Sequence, residues 1–231
     1  MGSDNRDPSL DQEALHLLRN YITQQIELGY KEVYLSPSPS PRRVEGSPQA
    51  KLEGLYERIK DCQRCQLGKA RKNLVFGEGN PQAELLFVGE APGADEDRLG
   101  RPFVGKAGQL LTKMLESIDL ARSDIYIANI LKCRPPGNRD PLPSEVVLCR
   151  PYLDEQIEII NPQVICALGR IAAQTLLDTK RSLGELRGFF HPFQGRRLLV
   201  TYHPAALLRN PHFKRPAWED LKLLRAQLER G

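Results

Sequence analysis

The 231-residue chain has no apolar run near the roughly 18 residues of a membrane-spanning helix, and its start, MGSDNRDPSLDQ, lacks the basic-then-apolar layout of a secretory signal. Both absences point to the cytosol. Excess charge is small as well. Lys+Arg 33 against Asp+Glu 29 leaves +4, too mild to mark a nucleic-acid binder and too balanced for an extended disordered chain. There are only five cysteines, and in a reducing compartment they are poor candidates for a disulfide framework, so their spacing is read as metal ligation or redox chemistry. The glycines fit neither a GxxxxGK[ST] loop nor a GxGxxG turn, so no nucleotide cofactor is expected, and no internal repeat is present. What remains, 40% hydrophobic and 27% charged, suits one α/β-sized domain with one appendage.

Charge is unevenly spread. Residues 1–50 hold five basic and seven acidic side chains, leaving 28 against 22, or +6, for residues 51–231. Leu10, Ala14, Leu17, Leu18, Tyr21 and Ile22 recur with a helical period after Ser9, which predicts an amphipathic helical extension over residues 1–35. Residues 36–50 are rich in Ser-Pro pairs without apolar periodicity and read as a linker. Leu52, Leu55, Tyr56 and Ile59 then open the body with a helix ending before Cys62. Continuous apolar runs at 85–88, 125–131, 164–168 and 198–202 read as strands covered on both faces. Helical patterns over 110–118, 144–160 (bent or restarted at Pro151) and 171–177, and one starting at Pro216, separate or follow them. The alternation predicts a three-layer αβα sandwich with a four-stranded, mainly parallel sheet and ligands at the strands' carboxyl ends.

Three strand ends carry polar residues. The first leads into Glu90, Ala91, Gly93 and Glu96 and on to Phe103, Lys106 and Ala107, combining carboxylates, a ring able to stack and a helix start suited to an anion. An acidic surface loop beside a core phenylalanine would look similar. The second carries Asn129 inside an apolar run, where an amide needs buried partners or a ligand. The fourth ends at His203, in a proline-stiffened loop.

Cys62 and Cys65 form CxxC, and Cys133 and Cys149 have 15 residues between them. Four thiolates accommodate zinc or an iron-sulfur cluster, and spacing does not decide between them. A redox-active CxxC disulfide is disfavoured, because residues 66–72 read as a basic loop instead of a helix following a strand. Cys166, inside an apolar run, reads as core.

GEAPGADEDRLGRPFVGKAGQLL (89–111), NILKCRPPGNRDP (129–141) and HPAALLR (203–209), with the four cysteines, resemble the family 4, iron-sulfur-containing uracil-DNA glycosylases. The resemblance covers residues 52–228 and implies a monomer that removes uracil from DNA without membrane association. It implies that Glu90 orients water and stabilises the cationic sugar, Phe103 stacks on uracil, Asn129 reads its edge, and His203 stabilises the departing anion. Ala91 and Gly93 would complete the uracil pocket, and Leu207 would wedge into DNA. Lys106, Ala107, Asn138, Arg139, Ala205 and Arg209 would lie along the DNA, with the role of Glu96 open. Cys62, Cys65, Cys133 and Cys149 become ligands of a [4Fe-4S] cluster. The N-terminal extension falls outside the pattern and is free to meet a repair or replication partner. On the residues alone, a cluster-bearing DNA binder without turnover and a zinc-stabilised interaction protein remain alternatives.

Overall fold

The computed structural model describes residues 46–229. The helix expected over residues 1–35 and most of the expected linker lie outside them. Ser47, in extended backbone, accepts the Ala50 N–H on its side-chain oxygen, and Pro48 loses no hydrogen bond in the first turn, so helix α1 (Pro48–Ile59) begins inside the stretch expected as linker. Residues 48–50 of the expected linker are therefore helical. Leu52, Leu55 and Ile59 form its buried stripe. A five-residue helix, α2 (Gln66–Ala70), replaces the loop expected after CxxC. Because it follows a helix and not a strand, it does not recreate the redox arrangement.

Six strands form one sheet in the order β1-β3-β2-β4-β6-β5. The four expected strands are its parallel centre: β2 (Leu85–Gly89), β3 (Tyr126–Asn129), β4 (Val164–Leu168) and β6 (Arg196–Thr201). Two antiparallel edge strands add to them, β1 (Glu78–Gly79) against β3 and β5 (Phe190–Phe193) against β6. The first is two residues long and the second, FHPF, contains a proline, which an edge strand tolerates. Neither produces an apolar run.

Every residue of β2, β3 and β4 is buried, because helices cover both faces. Leu86, Val88, Ile165 and Ala167 face a layer containing α1, α5 (Pro143–Ile160), α6 (Arg170–Leu177) and the short α7 (Leu183–Leu186). Leu85, Phe87, Val164 and Cys166 face α4 (Lys106–Glu116) and α9 (Lys214–Leu228). Cys166 is fully buried there, as expected. Of the bend or restart expected at Pro151, the restart is absent, since the helix is continuous through it. Pro151 lies on the exposed side of α5, as does Val147 one turn earlier, so water is available to the carbonyl that the proline leaves unpaired. The last helix starts at Lys214, two residues before the expected Pro216. Among the described residues no helix is long and apolar enough to cross a membrane.

Candidate active site

The parallel strands end together, and beyond their carboxyl ends lies a cleft of about 480 Å³. β2 and β3 deliver Glu90 and Asn129 to it. The loop between α3 (Ala94–Leu99) and α4 delivers Phe103, and the turn after β6 delivers His203. Buried Phe103 and half-buried His203 lie with ring centroids 5.4 Å apart at 34°. Asn129 is 2% exposed and its Oδ1 has no hydrogen-bond partner. Gly89 makes room for both groups, since a Cβ there would sit 2.3 Å from Asn129 Oδ1 and 2.7 Å from the Phe103 ring.

Electrostatics separates the two ionisable residues. Burial pushes the Glu90 carboxyl up to about 7, with Asp140 adding to the rise and Arg170 opposing it. Burial pushes His203 down to about 4; Arg209 acts in the same direction and Glu96 against it. His203 also caps α8 (Pro204–Arg209), its Nδ1 accepting the Ala205 N–H at 3.1 Å. An Nδ1 that accepts carries no proton, so the neutral ring presents Nε2–H as a donor.

Ala91, Gly93, Glu96, Ala107, Asn138, Arg139, Ala205 and Arg209 also line the cleft. Lys106 and Leu207 do not. Leu207, the expected wedge, is buried. Positions 204 and 207 share one face of α8, so Leu207 turns inward to 2% exposure, while Leu208 is 49% exposed. The Arg139 guanidinium is engaged by Glu145 in a two-pronged ion pair of 2.9 and 2.6 Å at the start of α5. Asn138 accepts Arg134 Nε at 2.8 Å. Sequence reasoning missed Asp140 and Arg170, which pair at 2.9 Å along the cleft. Asp140 stands in the NRDP stretch, and Arg170 follows Gly169 at the end of β4, whose apolar run carries no polar residue to mark its end.

The four cysteines line a second, small hollow with Arg71, Lys132 and Tyr152. Among the described residues no three His, Cys, Asp or Glu side chains stand at metal-holding distance. The donor set nevertheless suits a thiolate-held group. Arg71 donates to Cys133 Sγ at 3.2 Å, the Lys132 N–H donates to Cys149 Sγ at 3.3 Å, and both cations are of the sign that balances thiolates. Burial pushes the Cys149 thiol up to about 11 and raises Cys133 as well, so a bound cation is what would ionise them.

The profile of the uracil DNA glycosylase superfamily matches residues 76–222. The type-4 uracil-DNA glycosylase of Saccharolobus solfataricus is 45% identical over 186 residues, 77% of this chain and 86% of that protein. Those of Archaeoglobus fulgidus and Thermotoga maritima are 48% and 46% identical, each over 74% of this chain and 90% and 91% of their own lengths. The chain belongs to the type-4 uracil-DNA glycosylases. Glu90, Phe103, Asn129 and His203 all fall within the glycosylase superfamily match, whereas Cys62 and Cys65 precede it.

Proposed function

We propose that the protein hydrolyses the N-glycosidic bond of uracil in single- or double-stranded DNA, releasing uracil and leaving an abasic site for base excision repair. The carrying observation is the unpartnered Asn129 Oδ1 in the floor of the cleft. A buried polar atom without a partner costs about 1–3 kcal/mol, which a ligand N–H removes. Uracil offers an N–H beside a carbonyl oxygen, the complement of a carboxamide. Cytosine presents the reverse order.

A base must leave the stack to reach this cleft, at a cost of a few kcal/mol, and the face of Phe103 replaces part of the lost stacking. As the C–N bond lengthens, positive charge grows on the sugar and negative charge on uracil. Ionised Glu90 orients water and stabilises the sugar; the Nε2–H of neutral His203 stabilises the departing anion. No covalent nucleophile is needed, and preorganised charge of this kind is commonly the largest catalytic term.

In the same reading Cys62, Cys65, Cys133 and Cys149 hold a [4Fe-4S] cluster. When bound it supplies a cross-link between the segment joining α1 to α2, the β3 exit and α5, with no electron transfer in the reaction. Purified protein should cleave a uracil-containing oligonucleotide after alkali and spare a thymine control. Retention of uracil DNA without base release would mark a binder instead. A brown preparation absorbing at ~400 nm supports the cluster, and a colourless one supports zinc.

A further inference from the structure

We propose that Arg122 and Glu96 are positioning residues that hold the base-stacking ring in place, an inference that rests on reading Phe103 as the residue that stacks on uracil. Phe103 has φ 52, in the left-handed region that a bulky side chain rarely occupies. Such a conformation persists only where its surroundings over-determine it.

Two side chains from different elements do this. Arg122, in the turn before β3, donates Nη1 to the Phe103 carbonyl at 3.1 Å and Nη2 to the Pro102 carbonyl at 3.0 Å. From the other side, Glu96 of α3 accepts the Val104 and Gly105 N–H groups on one carboxylate oxygen, each at 2.9 Å. The peptide groups on both sides of the ring's Cα are therefore fixed. Arg122 is itself held by Glu78 of β1, which also binds Arg101. Only a guanidinium fork reaches two successive carbonyls while keeping that ion pair.

Glycines close the remaining freedom. A Cβ on Gly108 would stand 1.8 Å from the Phe103 carbonyl oxygen, so α4 packs directly on this backbone. Gly89 leaves room only for the ring edge. The phenyl group is thus confined between the end of β2 and the His203 ring. Glu96, left without a role by the sequence, acts through Phe103.

The test uses the full chain, with free uracil as competing product and a single-stranded uracil oligonucleotide as substrate, so that duplex opening does not contribute. Arg122→Met and Glu96→Ala should each raise KM and the uracil inhibition constant roughly tenfold with a smaller change in kcat, the scale of a lost base–aromatic stack. Glu96→Gln keeps the acceptor oxygen and should recover most of the loss. On a Phe103→Ala background either change should add less than about twofold, because the pair acts through one ring. If Phe103→Ala itself leaves KM and the inhibition constant unchanged, the stacking reading falls and this inference with it. If Phe103→Ala raises both while Arg122→Met and Glu96→Ala lower only the melting temperature, the clamp alone is overturned. Should Arg122→Met fail to fold, Glu96→Ala with its Gln recovery decides the question from the other side.

Discussion

Glu90 and His203 share one cleft, and burial moves each toward its neutral form, the acid up to about 7 and the imidazole down to about 4. The proposed chemistry needs Glu90 ionised and His203 neutral. kcat/KM should accordingly rise with pH through an inflection near 7 that belongs to Glu90, and no loss from His203 protonation should appear above about pH 5. Glu90→Gln should abolish that rise and slow turnover by about 10²–10³-fold, the usual scale for removing one preorganised charge-stabilising group. A stability consequence has the opposite sign. Because the folded-state value of Glu90 lies above the ordinary 4.5, its stabilisation is present at low pH and lost as pH rises through about 7. Thermal melts should therefore show Glu90→Gln gaining on the parent between pH 5 and pH 8, whereas an equal difference at both would contradict the raised value. At Asn129 the carboxamide donor is the feature under test. Asn129→Asp should weaken preference for uracil over cytosine in a competition assay with mixed oligonucleotides, and unchanged preference would remove the assigned role.

At the scale of elements, Leu207 and Leu208 make opposite predictions. Leu207→Ala empties a buried site and should cost about 2–5 kcal/mol in denaturant unfolding, with turnover of single- and double-stranded substrates reduced alike. Leu208→Ala removes an exposed apolar group next in sequence to Arg209, which lines the cleft, and should slow duplex turnover more than single-strand turnover, since only a duplex stack must be opened. The pair also shows where the sequence stops being readable. A fixed offset from His203 locates a wedge by motif, but which of two adjacent leucines faces out depends on how α8 rolls against α4, a tertiary property. The four central strands were legible because burial on both faces demands unbroken apolar runs. β1 and β5 were not, since an edge strand needs neither length nor hydrophobicity. The α5 boundaries were legible, but the effect of Pro151 depended on whether its freed carbonyl met solvent. Glu90, Asn129 and His203 were legible as polar residues at strand ends. Arg122 was invisible, because its partners are backbone carbonyls about 20 residues away that leave no mark on local pattern.

For the whole molecule, a cluster held by the four cysteines, as proposed, would join the segment after α1, the exit of β3 and α5. Cys62 and Cys65 follow α1, Cys133 lies four residues past Asn129, and Cys149 sits within α5. The enclosed loops are long, so a bridge among them removes much conformational freedom from the unfolded chain, on the order of 3–5 kcal/mol by the loop-closure relation used for covalent cross-links. The same region buries Lys132, whose ammonium binds the Asn129 carbonyl and Gln156, tying the end of β3 to α5 beside two of the cysteines. Cys65→Ser should therefore lose visible colour and melt at a lower temperature, with α1, α2 and the segment after β3 opening first in hydrogen exchange. The other sheet face, where Leu111, Leu115, Leu221 and Leu224 pack, lies across the strands from the cysteines and should keep its protection. Uniform loss of protection over both faces would mean that the cysteine site nucleates the entire fold. Unchanged exchange after complete loss of colour would show that the four-thiolate bridge contributes no folding stability.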